Sequence, residues 1–217
     1  MKTGSTTISN TFLPLILAIF LGAVISILSV LHFKENVPYE YLTRDPNAIA
    51  ISPVYTGFLS QLGLFFWAAS ATTCIICFSL FKRKGILPGF TWFFGFASIL
   101  SSVLGFDDAF LLHEHFFPWF GLSEKIVLLG YLILTLFFLK TTYKVILKTP
   151  YSYLLVSFFF FGISLFQDVV AIPFSFEYLL EDGAKFLGII SWFIYFFTTA
   201  TGILSKKFKL SSPTLRP

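Results

Sequence analysis

Residues 56–81 read TGFLSQLGLFFWAASATTCIICFSLF and are followed at once by Lys82, Arg83 and Lys84. No charged residue occurs anywhere from 47 to 81. A helix needs roughly 20 predominantly apolar residues to cross the hydrocarbon core of a bilayer, and this run supplies them. Lipid offers the backbone no hydrogen-bond partners, and the run lacks the alternation of a barrel strand, so it reads as a helix. The three cations that close it mark where the chain returns to water.

The rest of the chain repeats this pattern. Apolar stretches at about 12–33, 86–106, 124–147, 150–172 and 184–205 predict five further spans. The stretch 124–147 is free of charge only over 126–139, so Lys140 and Lys144 must extend along it to reach the interface. The first stretch is too long for the apolar region of a signal peptide and lacks a small-residue cleavage site. Composition agrees: 56% of residues are hydrophobic, 12% are charged and the mean hydropathy is +0.84, whereas soluble domains carry about 25% charged residues. The expected fold is all-α, a polytopic membrane protein of six transmembrane helices forming one domain over 1–217, placed in a cell membrane, the bacterial inner membrane.

Six spans put both termini on one side. That face then holds Lys2, Lys82, Arg83, Lys84, Lys140, Lys144, Lys148, Lys206, Lys207, Lys209 and Arg216 out of 15 Lys and Arg in all, and by the positive-inside rule it is cytoplasmic. The opposite face holds all 11 acids and the three histidines, against only Lys34, Arg44, Lys125 and Lys185. The orientation rule does not demand this, because acids contribute little to it. A concentrated negative field favours cations: metal ions, protons or positive groups of a partner. The net charge of +4 records topology, and with no basic patch interleaved with aromatics there is no expectation of nucleic acid.

The densest polar cluster is Asp107-Asp108-Ala-Phe-Leu-Leu-His113-Glu114-His115. If the third helix continues through it, Asp107 and Glu114 share one face, and Asp108 and His115 the next. Carboxylates and imidazoles so spaced suit a divalent metal, or acid and base around a bound water. Two carboxylates at a helix C-terminus oppose its dipole, so a plain polar loop would be better served by Lys or Asn. The second cluster is Glu181-Asp182-Gly183-Ala184-Lys185. Its bland reading is strong: acids at a helix start complement the dipole, and Glu181 with Lys185 makes an i,i+4 pair. Asp168 lies in an otherwise uncharged span and needs a partner, for which His32, Lys185 or a metal shared with Asp107 are candidates. Glu124, after Ser123, reads as a helix start. Cys74 and Cys77 lie in the lipid-embedded run without a group to stabilise a thiolate, and read as packing.

The strings Asp-Asp-x4-His-Glu at 107–114 and Glu-Asp-Gly-x-Lys-x-x-Gly at 181–188 resemble a pattern in an uncharacterised group of bacterial six-span proteins. The resemblance implies no activity, but it does imply that Asp107, Asp108, His113, Glu114, Glu181 and Asp182 belong together. Alkaline ceramidases offer only an analogy, because this chain lacks their His-x3-His pair. Microbial rhodopsins need seven spans with a lysine deep in the membrane, whereas Lys185 sits at an edge.

Three functions compete. The first is a metal-dependent hydrolase of lipid-like substrates at the outer leaflet. It takes zinc or a similar divalent metal on Asp108, His113, His115, Glu181 and Asp182, with Glu114 and Asp107 catalytic and His32, Asp168 and Lys185 supporting them. The second is a cation- or proton-coupled transporter. Against it, both clusters lie on one side, which inverted repeats would not produce. The third is a non-catalytic membrane subunit whose acidic outer face docks a protein partner. Membrane lipids are the expected surroundings in every case.

Overall fold

The computed structural model describes residues 12–170 and 177–211. They fall into two compact units divided between Thr56 and Gly57. The N-terminal unit holds α1 (Phe12–Phe33) and two short helices, α2 (Tyr39–Thr43) and α3 (Pro46–Ala50). Asp45 caps α3: its Oδ1 accepts from the backbone N–H of Asn47 at 2.8 Å and of Ala48 at 3.2 Å. Pro46 takes the first helical position, where its missing N–H costs nothing. His32 donates from Nδ1 to the Val37 carbonyl at 2.9 Å and stacks on Tyr39.

The second unit is helical throughout its described residues: α4 (Phe58–Lys84), α5 (Pro88–Phe110), α6 (Phe117–Trp119), α7 (Glu124–Ile146), α8 (Ser152–Val170) and α9 (Glu177–Ser211). A π-helical turn, Leu112–Phe116, separates α5 from α6. Gly85 ends α4 in the left-handed region at φ +60°, donating back to the carbonyls of Phe81 and Lys82. Pro88 starts α5 just beyond it, so the C-cap glycine and N-terminal proline together make the hairpin.

Four helices are long and apolar enough to cross a membrane: Phe58–Lys84, Pro88–Phe110, Glu124–Ile146 and Glu177–Lys206. That suggests a membrane protein. The apolar segments Ala18–Phe33 and Ser152–Asp168 are shorter. The spans expected at 86–106 and 184–205 begin or end within longer helices. The last helix in particular runs from Glu177, so Glu181 and Asp182 lie inside it and not at its cap.

The helices pack in the order α7, α5, α4, α9, α8. Their core is aromatic. Trp192, 1% exposed, sits against Trp67, Phe138, Phe158, Phe161 and Phe196, and its indole N–H is satisfied by Ser101 Oγ at 2.9 Å. α8 reaches α9 at Gly188, where a Cβ would lie 2.6 Å from the Phe161 ring. Ser157 donates to the Gly188 carbonyl at 2.8 Å. Cys74 and Cys77 are buried free thiols in this core. Trp92 and Trp119 are exposed.

Candidate functional site

Alternation of helix direction brings the start of α4, the end of α5, the starts of α7 and α9 and the end of α8 to one end of this unit. A cavity of about 320 Å³ opens there. Its deeper wall is apolar, with Trp67, Leu104, Leu132, Phe158, Phe161 and Trp192, and its mouth carries Asp107, Asp108, His113, Glu114, Asp168, Glu181 and Lys185. All seven of these charged groups come from the expected site and its supporting set at 107–114, 168 and 181–185. Tyr131 and Thr135 complete the polar lining from α7.

Local backbone geometry sets the first contact. α5 does not continue through the cluster. Leu111 adopts φ +49°, a left-handed conformation unfavourable for a residue with a Cβ, and the chain turns back through the π-helical segment. The expected pairing of Asp107 with Glu114 along one helical face is therefore replaced by Asp107 with His113. Asp107 Oδ1 accepts from the backbone N–H of His113 at 2.9 Å and from Tyr131 Oη at 2.8 Å. Its Oδ2 accepts from His113 Nδ1 at 2.6 Å. With Nδ1–H fixed on the carboxylate, Nε2 is the free ring nitrogen, 3.6 Å from Glu114 Oε1. An imidazole held through one nitrogen by a buried carboxylate is the usual setting of a metal-ligating histidine.

The second contact departs from the i,i+4 expectation. Lys185 makes its ion pair with Asp108 of α5, Nζ to Oδ1 at 2.5 Å, and not with Glu181 on its own helix. Asp108 is 7% exposed, and its Oδ2 has no hydrogen-bond partner among the described residues. Gly63 of α4 makes room for it: a Cβ there would stand 3.7 Å from that oxygen. The buried indole N–H of Trp67 is likewise unpartnered. Two unmet polar atoms in one cavity wall are costly unless something else satisfies them.

A metal-capable set emerges from three elements. Ligand atoms of His113, Glu124 and Asp168 all lie within 4.8 Å of one another. Glu124 was read only as a helix start, and α7 does start there. Ser123, however, makes no side-chain cap. The signal was its place on the acidic face, where it was one acid among 11. His115 and Asp182, expected as ligands, are exposed and do not line the cavity. Asp107 meets His113 and does not face the cavity as a free base. His32 belongs to the N-terminal unit, where its partners are Val37 and Tyr39.

Burial works against a charged His113, but the hydrogen bond and negative charge of Asp107, aided by Glu114, outweigh both burial and the opposing charge of Lys185. The imidazole is held above its ordinary value of about 6.5. The sign follows: the protonated pair stabilises the metal-free protein in acid, and this contribution fades as pH rises through the raised value. A metal bound at His113 would have to displace that proton, so affinity for it would fall steadily as pH drops through the same window. Zinc competition titrations at a series of pH values measure this, and a pH-independent affinity would exclude His113 as a ligand.

Residues 17–199 match the family described as "Domain of unknown function (DUF8692)". The chain belongs to this family. The match spans the whole cavity, from α4 to most of α9, so the polar cluster is part of what the DUF8692 family covers. No curated protein and no solved structure matches the chain.

Proposed function

We propose that this is a multi-pass membrane enzyme of bacterial inner membranes, a metal-dependent hydrolase acting on lipid-like substrates. α1 and α8 complete six spans, with both termini cytoplasmic and the cavity mouth at the outer face. The observation that carries the reading is the His113–Asp107 pair, which engages Nδ1 and leaves Nε2 to the ring's other side, together with the group that His113 forms with Glu124 and Asp168. These three would hold a divalent ion, zinc or similar. Asp107 holds His113 in the ligating tautomer and is a positioning residue. A bound ion would supply a water of lowered pKa. Glu114 would take the proton of that water as its oxygen adds to an ester or amide carbonyl, and would pass it to the leaving heteroatom as the bond to the carbonyl carbon breaks.

The apolar depth of the cavity supports the lipid-like substrate, because a polar head at the mouth leaves its chain among Phe158, Phe161 and Trp192. The test is metal content after purification in detergent. About one zinc per chain is expected, lost in His113→Ala and Asp168→Asn while the fold persists. Wild-type protein that folds and never takes up metal would sink the proposal.

The buried Asp108–Lys185 pair favours a second reading, a proton- or cation-coupled transporter. Flux in proteoliposomes that is abolished by Asp108→Asn, in protein that binds no metal, would select it.

A further inference from the structure

α7 and α8 follow one another in the chain, yet they do not pack along each other. They are joined at one end by the short connection 147–151, approach at the other through the Glu124 and Asp168 carboxylates, and stand at the two ends of the helix order α7, α5, α4, α9, α8. Among the described residues of this unit the bundle is therefore not closed between α7 and α8. The cavity lies against this gap: Leu128, Leu132 and Thr135 of α7 line one side, and Phe158, Gly162 and Leu165 of α8 the other. Several of these face outward as well as inward. Leu132 is 47% exposed, Leu165 is 40% exposed, and Gly162 is exposed too. A residue that lines a cavity and is open on the flank of an apolar bundle marks a side opening.

We propose that the cavity is reached sideways from the bilayer through the slot between α7 and α8. Its occupant is a single-chain amphiphile with an uncharged or cationic head. This rests on the reading of a lipid-like substrate given above and names its class and route.

Three features argue for the occupant. The slot is apolar at hydrocarbon depth, where water has no reason to fill it and an alkyl chain does. A volume of about 320 Å³ is at the small end of ligand sites, which run from roughly 300 to 1,000 Å³, a size that suits a single alkyl chain. The mouth sets the head. Lys185 is already paired with Asp108 and His113 with Asp107, which leaves Glu114, Asp168, Glu181 and the adjacent Glu124. One divalent ion does not neutralise four carboxylates, so an anionic head is repelled.

Gly162 gives the experiment its handle, because a Cβ there meets nothing within 4 Å. A large side chain at that position fills the slot without displacing the core. The protein is placed in phosphatidylcholine nanodiscs with a dodecyl chain bearing a diazirine, carrying either a trimethylammonium or a sulfate head. Photolabelled peptides are then mapped. Labelling by the cationic probe is expected at 124–135 and 152–168. It should exceed that by the sulfate probe, fall about tenfold in Gly162→Trp and survive in Gly162→Ala. Leu132→Trp closes the slot from the other side and should act alike, which keeps the test alive if one variant fails to fold. Labelling spread evenly over all apolar helix faces, or unchanged by both tryptophans, overturns the proposal. Its failure is distinct from failure of the enzyme reading: slot labelling in protein that never binds metal keeps the route and removes the hydrolase. Full metal content with no slot labelling does the reverse.

Discussion

Asp108→Ala is expected to lower the stability of the helical unit by about 2–3 kcal/mol, because it leaves the partly buried Lys185 ammonium without its ion-pair partner. The partner side chains differ in exposure, 33% for Lys185 and 5% for Asp108, so the figure lies below that for a fully buried pair. For a unit of this size it corresponds to about 5–10 °C in the unfolding midpoint, read by thermal unfolding in detergent. Lys185→Met should cost at least as much, since it leaves the better buried Asp108 without its ion-pair partner. The double variant Asp108→Leu with Lys185→Met should recover most of the loss, because both charges have gone and neither is left without its counter-ion. Strictly additive losses would mean that the ion pair contributes nothing of its own.

The second large effect is expected at Asp107. Its two oxygens take three donors: the His113 amide, the His113 ring and the Tyr131 hydroxyl. Asp107→Asn keeps the size and loses the charge, and it turns one acceptor into an amide donor that faces donors. Zinc affinity should fall by about 10–100-fold, with the fold and the remaining ligands intact. Tyr131→Phe removes one of the three donors and should cost only about 1 kcal/mol, with the ring of His113 still held. The pair of variants separates orientation of the ligand from general packing. An Asp107→Asn protein that binds zinc as tightly as wild type would remove the positioning role.

The helices were legible because span length and charge-free runs are set by physics that acts along the chain. The run 56–81 and its triple cation map onto α4 almost residue for residue. What periodicity could not foresee was the break at Leu111. A leucine in the left-handed region carries no local signature, and the helical spacing of 107–115 therefore pointed Asp107 at the wrong neighbour. The composition of the site was legible for a similar reason: acids grouped on one face have few places to go. Which acid meets which cation was not, because Lys185 had an adequate partner on its own helix and a better buried one on α5. Glu124 was hidden by a sufficient local explanation, and only the meeting of α7 with the end of α8 gave it a second one.

The turn at Leu111 ties two properties to one carboxylate. Asp107 holds the amide of His113 with the same side chain that aims its ring. The last turn of α5 thus cannot fray without also releasing the imidazole. Occupancy of the ring nitrogen and exchange of a single backbone proton are two readings of one local equilibrium. That amide is a built-in gauge of how often the mouth of the cavity comes undone.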